Sequence, residues 1–284
     1  MMHTTKLLTI QDVSCYGQCS LTVALPILSA MGIETAIIPS AVLSTHTGGF
    51  TGYTFRDLTE DLPKIAAHWQ AQGIAFDAFY TGYVGSKTQL KYIKDIVTSA
   101  AKGSPLFVVD PVMADNGKLY YGFDEDFAAE MARFVRGADV ILPNLTEAAF
   151  LLKEPYVGDG YDRTYIEGLL RRLSALNGGN VVLTGVSFDP SLLGVAAYSK
   201  ASDSVHYYFE KRIDGSFHGT GDVYASSFVG ALLNGLTLNE AAELAVDFTV
   251  RAIHATLPDR QEHWYGVKFE QSLPYLIHRL EDRK

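Results

Sequence analysis

The chain has 284 residues, 48% of them hydrophobic, enough for a substantial core and too many for an intrinsically disordered chain. A net charge of −9 without any basic block excludes a general nucleic-acid or anionic-membrane binder, because such surfaces need clustered Lys and Arg. With no signal-like amino terminus and no apolar run near the roughly 18 residues that span a bilayer, a cytoplasmic protein is expected; Cys15 and Cys19 read as ordinary thiols, not a disulfide or zinc scaffold.

In chain order, residues 7–10 form a first strand that breaks at Gln11-Asp12, and residues 20–31 carry Leu21, Leu25, Leu28 and Met31 on one helical face before Gly32 stops them. A second strand, 35–42, runs into the polar, glycine-rich loop from Ser44 to Tyr53. A helix over about 57–72, with Pro63 tolerated near its start, leads to a strand at 78–80 followed by Thr81-Gly82-Tyr83. Helix 87–101, strand 106–109, helix 124–135, strand 139–142 and helix 146–152 continue the alternation. After the loop around Gly158 come helix 164–176 and a strong strand at 180–184. Runs 193–198 and 205–209 form a hairpin, and the chain from Asp222 onward reads as three helices. Residues 236–257 are read as core, His254 included. Strands alternating with helices, with no linker between them, predict one α/β domain over residues 1–284. Its mostly parallel central sheet would be flanked by helices and carry an antiparallel edge hairpin.

The polar candidates gather after strands, where open α/β sheets build their sites: Asp12, Thr47, Tyr83, Asp110, Asp115, Asn144 and Thr184. The most informative run is His218-Gly219-Thr220-Gly221-Asp222, standing before an apolar, small-residue helix. Glycines leave backbone N–H groups uncovered, and the helix start adds unpaired donors and a positive dipole end, which together make an anion site. Asp222 beside a bound phosphate can accept the proton of an attacking hydroxyl; alternatively Thr220 is an N-cap and Asp222 only complements the dipole. Asp110-Pro111-Val112-Met113-Ala114-Asp115 puts two carboxylates on one loop, suited to Mg²⁺ held through water and phosphate or to a solvated turn. Pro143-Asn144-Leu145-Thr146-Glu147 is either an N-cap with an acidic first turn or part of a nucleotide or metal site. Taken alone, His46 reads as a satisfied loop histidine and Tyr83 as a packed aromatic in preference to site residues. A Walker-type loop is absent, and no Gly-x-Gly-x-x-Gly follows the first strand, so phosphate binding rests on the late glycines.

Gly219-Thr220-Gly221-Asp222, the earlier Asp-Pro-Val-Met-x-Asp and the Pro-Asn-x-x-Glu-Ala between them resemble the ribokinase superfamily, in its vitamin kinase branch. Together with Ile10-Gln11, Gly17, the 44–48 loop and Thr81-Gly82-Tyr83 in the same order, the resemblance to the pyridoxal/pyridoxamine kinases covers nearly the whole chain. It implies a ribokinase-like fold and ATP-dependent phosphorylation of the 5′-hydroxymethyl group of a B6 vitamer. Asp222 would be the base, with Gly219, Thr220 and Gly221 the anion hole. Asp115 and Glu147 would lie near Mg²⁺, while Asp110, Asn144 and Thr184 would flank ATP. Thr47, Tyr83 and His46 would wall the vitamin pocket. The same resemblance implies a homodimer and a monovalent cation as a further candidate. Two departures stand out: Asp12 replaces the family's Ser, and Ala114 replaces a common Gly. A carboxylate at position 12 would favour a protonated ring nitrogen or aminomethyl group, unless Asp12 is only an Asx-turn residue. Hydroxymethylpyrimidine kinase activity and a catalytically silent vitamin-binding protein are the competing expectations.

Overall fold

A computed structural model of the chain describes residues 5–282. Strand β1 (Lys6–Ser14) leads through α1 (Leu21–Ala30) to β2 (Glu34–Leu43); β3 (Phe55–Asp57) and α2 (Leu62–Ala71) precede β4 (Phe76–Thr81), α3 (Lys87–Ser99) and β5 (Ala101–Val109). A two-stranded ribbon, β6 (Ala114–Asp115) and β7 (Lys118–Leu119), comes before α4 (Glu125–Phe134) and β8 (Val140–Ile141). Then follow α5 (Leu145–Leu152), α6 (Arg163–Asn177), β9 (Asn180–Val186), β10 (Leu192–Ser199) and β11 (Ser204–Lys211). Three helices close the chain: α7 (Thr220–Leu233), α8 (Leu238–Thr256) and α9 (Leu273–Glu281).

Nine strands form one sheet in the order β11-β10-β9-β8-β5-β4-β1-β2-β3. The six from β9 to β2 are parallel, and the β10–β11 hairpin is the expected antiparallel edge. Strand β3, antiparallel to β2 at the opposite edge, was not expected. Its three residues are all exposed, so no buried face marks it in the sequence. The helix expected from 57 begins instead at Leu62, with Pro63 in its first turn, where a missing N–H costs nothing.

Both faces of the sheet are covered, which is why its central strands read as apolar runs. Leu7, Ala78, Tyr80, Val108 and Val182 pack on the side of α1, α7, α8 and α9; their neighbours Leu8, Phe79, Val109 and Val181 pack on the side of α2 to α6. Each fully buried side chain of this size contributes about 1.5–3 kcal/mol. One expectation fails here: His254 is exposed, lining a groove of about 770 Å³ with Tyr208, Asp247, Arg251 and Tyr275. Helix α8 buries Ala241, Ala245, Phe248 and Ala252, and position 254 falls on its other face. No described helix is long and apolar enough to cross a membrane.

The chain leaves β1 for β2 on one side and later places β4 on the other. Such a reversal opens a crevice at the carboxyl ends of these strands, the ordinary ligand position of an open α/β sheet.

Candidate active site

The start of α7 delivers the glycine-rich run to this crevice. Gly219 caps the helix in the left-handed conformation, with φ of 76°, and a Cβ there would run into the Gln18 carbonyl oxygen. Thr220 is therefore the first helical residue and not the N-cap; its hydroxyl donates to the Phe217 carbonyl at 3.2 Å. The first-turn N–H groups have no acceptor within the helix. Gly221 is exposed, and nothing lies within 4 Å of where its Cβ would stand, so the backbone at this point is open to a ligand. Beside it, burial pushes the Asp222 carboxyl up to about 7; the Ser20 N–H opposes that rise and the negative charge of Asp12 reinforces it. A carboxyl group poised near neutrality is suited to accept a proton.

Asp12 belongs to this neighbourhood, but not as a turn residue. Strand β1 continues past it to Ser14, and the register with β2 slips between Gln11 and Val13, which places Asp12 at a bulge. Its carboxylate accepts from the Ser14 hydroxyl at 3.0 Å. Burial raises its pKa, against the opposing influence of the nearby Ser20 and Ser14 hydroxyls. The Cys19 thiol is pushed up first by burial and then by the charges of Asp222 and Asp12. Tyr83 faces Asp12 as well, and its phenol is driven to about 12, chiefly by burial.

Elsewhere in the crevice, the first turn of α5 clasps the Asp110–Asp115 loop. Glu147 closes a capping box with Asn144, accepting the Asn144 N–H at 2.9 Å through one oxygen and the Met113 N–H at 3.2 Å through the other. Asn144 accepts the Glu147 N–H at 2.9 Å and donates its amide to the Ala114 carbonyl at 2.8 Å. The capping reading of this segment therefore holds, and it ties the two segments together. Burial lifts Glu147 to about 8, and burial together with the charges of Glu147 and Asp222 lifts the buried Asp110. Thr184, expected to end its strand, lies within β9, which runs on to Val186, and its backbone bridges to Asn144. Asp115 points outward in β6 and accepts both the backbone and the side-chain N–H of Asn116 at 2.9 Å. Among the described residues, no three acidic, His or Cys side chains converge to hold a metal unaided.

His46 has both ring nitrogens engaged by backbone: Nδ1 accepts the Gly48 N–H at 3.1 Å, and Nε2 meets the Tyr265 carbonyl at 2.8 Å. It straps the 44–53 loop to the segment near Tyr265, and Phe50 packs on Trp264, with ring centroids 4.5 Å apart and tilted by 45°, to extend the strap. Thr47 is exposed on this loop, and His218 lies 5.2 Å from His46 between centroids. Six expected residues thus gather within one electrostatic neighbourhood: Asp12, Tyr83, Asp110, Asp115, Glu147 and Asp222. Reading the sequence missed Cys19, Ser20 and Tyr120. Tyr120 faces Glu147, Asp115, Asp110 and Asp222, and its only sequence signal is proximity to the metal-type loop.

The sequence profile of the phosphomethylpyrimidine kinase family matches residues 25–265. Pyridoxal kinase from Arabidopsis thaliana is 28% identical over 290 residues, spanning 98% of this chain and 91% of its own length. The crystal structure of pyridoxal kinase from Lactobacillus plantarum superposes with a TM-score of 0.90 at 35% identity, covering 98% of each chain. A Bacteroides thetaiotaomicron structure, provisionally named phosphomethylpyrimidine kinase and crystallised with pyridoxal, gives 0.92 at 36% identity over 96% of each chain. By its profile the chain belongs to the phosphomethylpyrimidine kinase family, and pyridoxal kinases resemble it over nearly its whole length.

Proposed function

We propose that this protein transfers the γ-phosphoryl group of ATP to the 5′-hydroxymethyl group of a B6 vitamer. The observation that carries the reading is the start of α7, where the open backbone at Gly221 adjoins an Asp222 carboxyl poised near 7. Phosphoryl transfer through a loose transition state asks the protein mainly to align the hydroxyl and neutralise charge, and free helix-terminal N–H groups do the second. Asp222 accepts the hydroxyl proton, which is worth about 10² to 10⁴ in rate. Asp12 and Tyr83 stand at the vitamin end, with Thr47 and the His46 strap beside them. Asp110, Asn144 and Thr184 occupy the ATP side.

Mg²⁺ fits this site as an ion shared with phosphate and water, because Asp115 presents an exposed carboxylate held by the adjacent Asn116, while Glu147 is buried with its oxygens on the backbone N–H groups of two segments. When bound it would neutralise phosphate charge, and Glu147 would act mainly by fixing the loop that carries Asp110 and Asp115. A monovalent cation, a homodimer and a cytoplasmic location complete the proposal on family resemblance alone.

The family description favours one competing substrate, hydroxymethylpyrimidine, which presents a similar primary alcohol. ATP consumption measured with pyridoxal, pyridoxine, pyridoxamine and hydroxymethylpyrimidine decides between them. The proposal requires the highest kcat/KM on a B6 vitamer; preference for the pyrimidine overturns it, and no turnover on any of the four points to a binding protein.

A further inference from the structure

The β6–β7 ribbon carries Asp115, and its position is set from outside. Its strands are joined by Asn116 and Gly117, both left-handed with φ of 50° and 76°, the primed turn that an Asn-Gly pair favours. Asn116 donates its backbone and side-chain N–H groups to the two Asp115 oxygens, each at 2.9 Å, so the turn also orients the carboxylate. A hairpin with two residues per strand is not stable alone, and with Asp115, Asn116 and Lys118 exposed this one gains little from a core.

Two contacts hold its tip. The hydroxyl of Thr146, buried in the first turn of α5, accepts the Gly117 N–H at 3.0 Å. The ring of Tyr156, from the loop after α5, lies against both Gly117 and Gly158. A Cβ at Gly117 would stand 2.9 Å from Tyr156 Cδ1, and one at Gly158 would stand 2.6 Å from the Tyr156 hydroxyl oxygen. With Asn144 on the Ala114 carbonyl and Glu147 on the Met113 N–H, the first turn of α5 grips the ribbon at its base as well as its tip.

We infer that Thr146 and Tyr156 are positioning residues that fix where the Asp115 carboxylate stands in the crevice, by holding the turn that orients it. The inference rests on the reading of Asp115 as the acid that meets Mg²⁺. An acid that loses such supports keeps its charge but not its place, and supports of this kind are worth about 10- to 100-fold in metal affinity.

The test is ADP binding followed by calorimetry with and without Mg²⁺, which needs no turnover. Thr146→Val removes the acceptor with little change of shape and leaves the Gly117 N–H unpaired. It should weaken ADP binding about 10-fold in the presence of Mg²⁺ and not at all in its absence, and Thr146→Ser, which keeps the hydroxyl, should bind as wild type does. Tyr156 is 41% exposed, so Tyr156→Ala leaves the core intact and should show the same metal-dependent loss even where Thr146→Val folds poorly. In an Asp115→Asn background neither substitution should weaken binding further. Equal losses with and without Mg²⁺, or wild-type binding by both variants, would overturn the inference and leave Thr146 and Tyr156 as packing residues. Wild-type Mg²⁺-dependent binding by Asp115→Asn is a separate outcome, because it removes Asp115 from the ion whatever the two supports do.

Discussion

Two glycines two residues apart, Gly219 and Gly221, are predicted to fail in opposite ways when each becomes alanine. At Gly219 the left-handed backbone costs an alanine about 1–2 kcal/mol, and overlap with the Gln18 carbonyl adds about 1–3 kcal/mol. That carbonyl cannot easily retreat, because Gln18 is tied through its own N–H to Tyr265 and through its side chain to Glu270 at 2.9 Å. At about 2–4 °C per kcal/mol, Gly219→Ala should lower Tm by roughly 5–15 °C without any ligand. Gly221 has an ordinary φ, no neighbour within 4 Å and a helical position, where alanine is favoured by up to about 1 kcal/mol. Its ligand-free Tm should therefore be unchanged or about 2 °C higher. Its kcat/KM for ATP should nevertheless fall about 10- to 100-fold, as expected when a hydrogen bond to a charged group worth about 1.5–3 kcal/mol is blocked. Thermal melts and steady-state kinetics on both variants suffice. Wild-type ATP kinetics in Gly221→Ala would refute the close approach of phosphate to this backbone, and a collapsed melt would make the glycine structural.

Asp222→Asn should lose at least about 100-fold in turnover while keeping ATP and vitamin affinity. Because burial lifts this carboxyl from its ordinary 3.8 to about 7, folding stability declines as pH rises through that window, and the amide removes the cost. The variant should thus melt higher at pH 8, by on the order of 10 °C, with no gain at pH 4; equal melting at both values contradicts the assigned burial. Wild-type kcat/KM should fall below about pH 7, in the protonated range of Asp222. Asp115→Asn should raise the Mg²⁺ requirement with Tm unaltered, whereas Glu147→Ala should lower Tm by removing the side chain that closes a buried capping box, worth about 0.5–2 kcal/mol. A Mg²⁺ titration unchanged in Asp115→Asn removes that residue from the metal. Asp12→Ser should lower the kcat/KM ratio of pyridoxamine to pyridoxal, and a constant ratio would deny Asp12 a part in choosing the vitamer.

The central strands, the edge hairpin and the three last helices are legible in the sequence because each writes its burial into a local pattern of apolar residues. Strand β3 is not, since Phe55, Arg56 and Asp57 are paired through backbone alone and leave no buried face. His254 was misplaced for the converse reason: a helix with a broad apolar stripe reads as core on every side until its neighbours are known. The motifs located Asp222, Asp110, Asn144 and Glu147 because short-range backbone geometry, caps and glycine turns, is encoded within a few residues.

What only the tertiary structure decided is who meets whom. Asp12 and Asp222 lie more than two hundred positions apart, and only the fold of β1 against the start of α7 brings the charge of one to bear on the other. His46 could have faced a ligand, but the segment near Tyr265 takes its ring nitrogen. By itself the sequence determined the alternation of elements, the glycine turn and the residue types available for phosphoryl transfer, all of them properties of neighbours along the chain. The protonation state and partners of those residues depend on burial and on charges brought from distant strands, and no local pattern encodes that.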